Sequence, residues 1–363
     1  MELFLNYGAG ELRKKPKRYM CGSSGCAWED PFTNSNGNGA VAWADYDNDG
    51  DLDLFCSRIY ENDGMGSFTE KTGDTLFDGT GHDTLVFGDY DQDGYLDFIS
   101  GNKLYRNKGD KTFELKQTFN TGSSTPQNAI WFDMNGDSLL DILLMVECMS
   151  GLSTTTSCND MIYRNNGDGT FTAAGKFNSG SPMIMTVFDY DSDGDLDIFV
   201  GTYSDNDRLL RNDGGVFTEI AKNTHALTNG ASSTYAVTAG DYDNDGDIDL
   251  YVGREGSDVL FRNNGDGTFT DSDTAVLFAS TATTAAANFV DLDNDGDLDL
   301  FVGWTNSYGM FRNDGGGKFI KSTDTPINQL GSETIGDAHI VDIDNDVSHS
   351  GLKRKTPALL TPM

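Results

Sequence analysis

Residues 241–253 read DYDNDGDIDLYVG. Aspartates at positions 1, 3, 5, 7 and 9 of this stretch alternate with other residues, and a glycine stands at position 6. Asp is favoured over Glu where a short carboxylate must fold back onto its own turn, and glycine at position 6 permits a sharp reversal. The apolar run that follows has the composition of a buried strand. Outward from it, the same pattern begins at Asp45, Asp89, Asp133, Asp189, Asp291 and, in broken form, Asp342, at intervals of 44, 44, 56, 52, 50 and 51 residues. Self-similarity at that period is the signature of propeller blades rather than of stacked helical repeats.

Each unit reads as four short strands. An apolar segment such as AANFV leads into the acidic loop, and LDLFVG or a variant leaves it. A third strand follows (VLFRN, MIYRN, GMFRN), then a Gly/Asn/Asp turn that supplies positive φ angles, then a strand beginning with Phe. Residues 3–12, LFLNYGAGEL, match the third strand, turn and fourth strand of a unit, while Ala338–Val341 match a first strand. The expectation is an all-β, seven-bladed β-propeller of four-stranded antiparallel blades over residues 1–346, with one composite blade joining both termini and hiding the sheet edges. Residues 13–39 read as an inserted loop. After Asp346 the expected GDLDLFVG is replaced by VSHSGLKRKTPALLTPM, so 347–363 form a non-repeat tail, read as a gene-model or splicing artefact.

A nine-residue acidic loop of this kind is suited to Ca²⁺, which takes 6–8 oxygen ligands in a flexible shell. The expected side-chain ligands, at positions 1, 3, 5 and 9, are Asp45, Asp47, Asp49 and Asp53, then Asp89, Asp91, Asp93 and Asp97, then Asp133, Asn135, Asp137 and Asp141. The next sets are Asp189, Asp191, Asp193 and Asp197, then Asp241, Asp243, Asp245 and Asp249, then Asp291, Asp293, Asp295 and Asp299. Position 7, occupied by Asp51, Tyr95, Leu139, Asp195, Asp247 and Asp297, offers its backbone carbonyl. Six Ca²⁺ sites are expected. The third is the weakest, because Asn135 removes a charge and Ser138 replaces the turn glycine; the seventh, with only Asp342, Asp344 and Asp346, is degraded. Mg²⁺ is disfavoured by its demand for octahedral geometry.

The bulk composition agrees. The 363 residues carry 48 Asp against 10 Glu and a formal net charge of −33, which argues against nucleic acid or an anionic membrane as partner. No stretch approaches the roughly 20 apolar residues of a membrane span, and the start, MELFLNYGAG, lacks the pattern of a secretory signal. Five cysteines leave two readings open. Either Cys21–Cys26 and Cys148–Cys158 close local disulfides with Cys56 free, or all five are thiols.

The pairing of DYDNDGDLDLFVG-type with LFRNNGDGTFTD-type segments resembles the FG-GAP/VCBS repeat family, which includes the integrin α-subunit propeller, and in style the cartilage acidic protein and ASPIC/UnbV group. The resemblance runs over residues 3–346. It implies an extracellular or cell-surface propeller with structural Ca²⁺, used in adhesion or glycan binding, with the loop residues above as ligands. Strand order puts the acidic loops and the Gly-rich turns on one face. A protein or glycan partner is therefore expected on the other face, where the variable connections lie. The cluster Arg13, Lys14, Lys15, Lys17 and Arg18 is either an anion-binding patch or a solvated loop balancing nearby acid. Among Trp28, Trp43, Trp131 and Trp304 a sugar-stacking platform is conceivable, though Trp43 and Trp131 precede acidic loops and read as core. His82, His225, His339 and His349 stand in no nucleophile or zinc spacing. A polysaccharide lyase or hydrolase is thus a lesser alternative to a non-catalytic module.

Overall fold

The second strand of each repeat decides the packing. Residues 141–146 (DILLMV), 197–202 (DIFVGT), 249–254 (DLYVGR) and 299–304 (DLFVGW) are buried at every position, so both strand faces must be covered by protein. A stack of sheets around an axis does this. In the computed structural model each second strand packs its alternate side chains against the blade before and the blade after. Ile142 and Leu144 join Tyr90, Ile99 and Leu104 of one neighbour, and Leu143 and Met145 join Met185, Ile198 and Val200 of the other.

The structure describes residues 40–322, except 57, 65–66, 74–75, 77–83, 123–125, 147–159, 178–181, 204, 222–224, 229–232, 273–281 and 292–294. Outside that span it describes only the backbone of residues 2–6, 12–14, 18–22, 25–29, 339–341 and 358–361. Blade 1 comprises Ala42–Ala44, Asp53–Phe55, Ile59–Asn62 and Phe68–Glu70. Blade 2 comprises Leu85–Gly88, Asp97–Ser100, Lys103–Asn107 and Phe113–Thr118. Blade 3 comprises Pro126–Phe132, Asp141–Val146, Asp160–Asn165 and Phe171–Phe177. Blade 4 comprises Pro182–Phe188, Asp197–Thr202, Arg208–Asn212 and Phe217–Glu219. Blade 5 comprises Thr234–Gly240, Asp249–Arg254, Val259–Asn263 and Phe269–Asp271. Blade 6 comprises Thr284–Val290, Asp299–Trp304, Ser307–Asn313 and Phe319–Lys321. All six are antiparallel meanders. One 3-10 turn, Ala226–Thr228, and no α-helix occurs among the described residues.

The count corrects the expectation: the propeller has six four-stranded blades, not seven. Strands from both termini do pair in a separate sheet, ordered Leu12–Lys14, Glu2–Asn6, Ala358–Thr361, His339–Val341. It is not a seventh repeat, and the reason is in the sequence. The repeat stops at Asp346, before the loop glycine, the closing aspartate and the LDLFVG strand, so residues 358–361 of the tail stand where no repeat strand exists. Residues 18–22 and 25–29 of the expected inserted loop form a hairpin of their own. The broken acidic loop at Asp342–Asp346 lies outside the described residues.

Two sets of polar clamps join the blades. On the acidic-loop face, the last residue of each third strand is a buried Asn (Asn62, Asn107, Asn165, Asn212, Asn263 and Asn313). Its backbone N–H donates to Oδ1 of the aspartate that closes the loop of its own blade, at 2.7–2.9 Å. From blade 2 onward its Nδ2 donates to two carbonyls, one at loop position 8 of the same blade and one at loop position 2 of the preceding blade. Asn263 thus reaches Ile248 O at 3.1 Å and Tyr190 O at 3.0 Å, and Asn313 reaches Leu298 O at 3.2 Å and Tyr242 O at 2.7 Å. From blade 2 onward its Oδ1 also accepts the N–H of a turn glycine, which Gly265 donates to Asn263 at 3.1 Å. On the opposite face, buried Asp207 accepts from Thr234 Oγ1 at 3.0 Å across the 4/5 seam, and buried Asp258 accepts from Thr284 Oγ1 at 2.7 Å across the 5/6 seam.

Buried donors and acceptors left without partners are costly. Asn263→Ala strands two carbonyls and a glycine N–H, and is expected to lower unfolding stability by about 3 kcal/mol. Asn264→Ala, at the exposed next position, should change it by less than about 1 kcal/mol. Thermal or urea unfolding of the two variants beside the parent checks this ordering.

Candidate metal centres

Each acidic loop is folded by its own carboxylates. The position 1 aspartate accepts the N–H of position 5 with Oδ1 and that of position 6 with Oδ2, at 2.9–3.1 Å in loops 1, 2, 4, 5 and 6. The position 5 aspartate accepts the N–H of position 7, for example Asp245 from Asp247 at 3.1 Å. The position 9 aspartate closes the loop from the first place of the second strand. Its Oδ2 accepts the N–H of position 2 at 3.3, 2.9, 2.9 and 3.0 Å in loops 2 to 5. Position 4 lies in the left-handed region in five loops, with φ of 59° at Asn48, 56° at Gln92, 72° at Gly136, 59° at Ser192 and 59° at Asn244. Position 6 does so as well, and in loop 3 a serine, Ser138 (φ 67°), takes the strained conformation that glycine adopts elsewhere.

Four loops bring three acids together so that one oxygen of each lies within 4.8 Å of the others: Asp45, Asp47 and Asp53; Asp89, Asp91 and Asp97; Asp189, Asp191 and Asp197; Asp241, Asp243 and Asp249. These clusters can hold a metal ion. Positions 1, 3 and 9 make the trio. The position 5 residues Asp49, Asp93, Asp193 and Asp245 stand outside it, on the exposed side. Asp51, Tyr95, Leu139, Asp195, Asp247 and Asp297 hold position 7, and their side chains face the Gly-rich turn of their own blade. Asp195 Oδ2 accepts Gly214 N–H at 2.7 Å. Loop 3 makes no such trio. Asn135 Nδ2 donates to Asp137 Oδ2 at 3.0 Å, an amide doing what a cation does elsewhere, beside Asp133 and Asp141. In loop 6, Asp293 is outside the described residues, while Asp291, Asp295, Asp297 and Asp299 keep the loop pattern.

The donor set fits a hard divalent cation. One oxygen of each of Asp91, Asp191 and Asp243, all at position 3, is buried without a hydrogen-bond partner. A buried carboxylate oxygen with no donor is expensive unless a cation meets it. The closing aspartates tell the same story. Burial, reinforced by the neighbouring loop acids and opposed by two backbone N–H donors, pushes Asp53, Asp97, Asp197 and Asp249 up to about 7. Asp141 is raised by the same cause.

Two groups of site residues went unread in the sequence. The first is position 4, which ties each loop to the next. Asn48 Nδ2 donates to Gly94 O at 2.8 Å, Gln92 Nε2 to Ser138 O at 2.8 Å, Ser192 Oγ to Asp247 Oδ1 at 3.0 Å, and Asn244 Nδ2 to Asp297 Oδ1 at 2.6 Å. Gly136 has no side chain to do so. The second is the set of cations beside the acids. Arg106 bridges Asp91 and Asp93 at 2.6 and 2.7 Å, and Arg262 bridges Asp243 and Asp245 at 2.6 and 2.8 Å. Lys111 of blade 2 pairs with Asp47 of blade 1. The RN dipeptide ends five of the six third strands, and its Asn points inward in each, but among the described ion pairs its Arg reaches the loop acids only in blades 2 and 5.

The opposite face corrects the tryptophan reading. Trp304 is buried, its Nε1 donating to Asp258 at 3.3 Å, so it is no sugar platform. Trp43 packs edge-on to Phe68, and Trp131 stacks on Tyr90 at 6.3 Å. Among the described residues the exposed aromatic there is Tyr203, 51% exposed, edge-on to Tyr235 at 6.4 Å across the 4/5 seam. Tyr235 sits in a register shift between Thr234 and Ala236 that recurs at the start of the innermost strand in blades 3 to 6. Cys56 is buried, its Sγ–H donating to Arg58 O at 3.6 Å. The side chains of Cys21, Cys26, Cys148, Cys158, Trp28, His82, His339, His349 and the cluster Arg13–Arg18 lie outside the described ones.

Residues 152–200, 189–252 and 241–302 match the FG-GAP-like repeat. Residues 152–302 of this β-propeller carry FG-GAP-like repeats. The match does not reach the cartilage acidic protein and ASPIC/UnbV subgroup. No curated protein matches the propeller significantly. Among solved structures, it is similar to an Agrocybe aegerita lectin that recognises non-reducing terminal N-acetylglucosamine, with 20% identity, coverage of 88% of this chain and 89% of the lectin, and a TM-score of 0.59. It is also similar to BBS1N in complex with ARL6DN, with 12% identity, 92% and 95% coverage and a TM-score of 0.52. Sqt1 of Saccharomyces cerevisiae gives 11% identity, 88% and 81% coverage and a TM-score of 0.52. At these identities the likeness shows the fold alone.

The closing aspartates make stability depend on pH. A carboxyl raised from 3.8 to about 7 on folding binds its proton more tightly in the native state. Its contribution is full below pH 3.8 and is lost as pH rises through about 7. In chelator the propeller should therefore melt at lower temperature at pH 8 than at pH 5. A divalent ion that binds the carboxylate form should raise the melting temperature more at pH 8. Scanning calorimetry at the two pH values, with chelator and with Ca²⁺, reads both slopes.

Proposed function

We propose that this propeller is an extracellular, non-catalytic interaction module whose aspartate loops bind structural Ca²⁺ and whose opposite face engages a protein or glycan partner. The observation that carries the metal reading is the buried, unpartnered position 3 oxygen of Asp91, Asp191 and Asp243, each beside two further acids within 4.8 Å. Ca²⁺ suits the loops better than Mg²⁺, because carboxylates, a position 7 carbonyl and water make an irregular oxygen shell that Mg²⁺ does not tolerate. Sites that bind only the native loops stabilise the fold by mass action. An extracellular setting supplies Ca²⁺ at the millimolar levels that weak, structural sites use. No helix among the described residues is long and apolar enough to cross a membrane.

A structural role follows from where the ion would sit. It would neutralise acids that the loop–loop bonds hold on one face, leaving the other face free to vary. His225 is committed on both nitrogens, Nε2 to Gly267 O at 2.9 Å and Nδ1 to Leu227 N–H at 3.2 Å.

Within this reading, Tyr203 and Tyr235 favour a glycan over a flat protein epitope. Two rings from adjacent blades stand at a point where the other described seams have none, and aromatic faces stack on the apolar faces of sugars. The lectin of similar fold recognises N-acetylglucosamine, which makes neutral sugars the first ligands to try.

EDTA is expected to lower the melting temperature by several degrees, with Ca²⁺ restoring it at lower concentration than Mg²⁺; an unchanged melting curve in EDTA sinks the metal reading. On a glycan array in calcium buffer, Tyr203→Ala should lose at least about tenfold in affinity for any neutral glycan bound, while its melting temperature stays near the parent's. Binding to protein ectodomains with no glycan bound would move the reading to protein adhesion.

A further inference from the structure

The acidic loops are not equivalent, and the difference lies in what each has in place of a metal. Loop 2 holds the guanidinium of Arg106, with Nε 2.6 Å from Asp91 and Nη2 2.7 Å from Asp93. Loop 5 repeats the geometry with Arg262, at 2.6 Å from Asp243 and 2.8 Å from Asp245. Both arginines stand one residue before the clamping Asn of their own blade, so the backbone that carries them is fixed. Their side chains are one-third exposed for Arg106 and about half exposed for Arg262, which leaves room for them to swing outward. In blade 4 the equivalent Arg211 turns to Asp213 at 2.8 Å, and Asp191 is paired with no cation among the described residues. Loop 1 has Glu61 at that place and takes Lys111 from the next blade instead.

A planar guanidinium that spans two carboxylates fills the same electrostatic role as a divalent ion, with half the charge. It reaches positions 3 and 5 but not the buried oxygen of Asp91 or Asp243, which stays unpartnered. We propose that Arg106 and Arg262 are tethered counter-cations: each holds its acidic loop together when Ca²⁺ is scarce and is displaced outward when Ca²⁺ binds. Loop 4, with no such cation, then fills at lower Ca²⁺ than loops 2 and 5. The propeller thereby keeps folded loops in low calcium at the cost of affinity in two of them. The inference rests on the calcium reading above and concerns which loops fill first.

The apparent dissociation constant of a site rises by the inverse of the fraction of time it is open. For an arginine in place nine-tenths of the time this is roughly tenfold. The double variant R106Q/R262Q should therefore bind about one more Ca²⁺ per chain than the parent at a free Ca²⁺ that half-fills the parent, measured by equilibrium dialysis. In EDTA it should melt lower than the parent. R211Q, which changes the arginine that does not reach its loop, should match the parent in dialysis.

Equal or reduced Ca²⁺ binding by R106Q/R262Q overturns the proposal, because the arginines would then be bystanders or helpers of the metal. In the unaltered protein, the Nε–H resonances of two arginines should shift on addition of Ca²⁺. If no arginine resonance moves while Ca²⁺ raises the melting temperature, displacement is excluded and the calcium reading stands. If Ca²⁺ neither binds nor raises the melting temperature of the parent, both fall.

Discussion

The amide at the end of the third strand is the constraint from which the acidic face is built. An Asn side chain has two donors and one acceptor on a short stem, and from blade 2 onward every one is used. One donor goes to the loop of its own blade, the other to the loop of the preceding blade, and the acceptor takes the turn glycine N–H. Its backbone N–H meanwhile fixes the rotamer of the closing aspartate. Asp in its place would set a second carboxylate against the first, and Gln would overreach by a methylene. Loop, turn and blade seam are thus adjusted to one another through a single residue per blade. Close approach at the turn follows from it: a Cβ on Gly317 would lie 2.5 Å from the Tyr242 ring.

Gathering acids on this frame has an electrostatic cost, and the molecule meets it in several ways. In loops 2 to 5 backbone N–H groups take both oxygens of the first and last aspartates, so their charge is partly screened by peptide dipoles. The position 3 aspartate has no such backing for one of its oxygens in loops 2, 4 and 5. Around it the loops diverge, with arginine in two, lysine in one and an amide in another. The repeat is regular where the backbone is at stake and variable where a cation is. This division separates residues that make the loop from residues that tune what it holds.

The sequence made the loops and the strand order legible because both recur with invariant spacing. Each acidic stretch does join the first and second strands, and DLFVG-type segments are buried on both faces. The blade number was misread for a physical reason. Strand-like segments at the termini, such as LFLNYG, were counted as a repeat, although a blade also needs the loop and second strand that are lost after Asp346. The Asn clamp was visible as the constant N of YRN, LRN and FRN, yet an Asn before a Gly-rich turn reads as turn chemistry alone. Trp304 could not be placed from the sequence, because the partner that holds its indole inside, Asp258, is 46 residues distant. Position 4 was unreadable in principle. Its role is to reach the neighbouring blade, and nothing within one repeat records that distance.

Gly136 gives this last point a mechanical meaning. At the 1/2, 2/3, 4/5 and 5/6 seams a side chain at position 4 of one acidic loop grips the next, but between blades 3 and 4 that grip is missing, and the hydrogen bond described across that face is the one from the Asn212 amide to Met134 O at 2.8 Å. On the acidic-loop face the rim is therefore most lightly tied at the 3/4 seam, where the hydrophobic packing of Phe132, Met134 and Leu143 against Met185 and Ile198 carries the join instead.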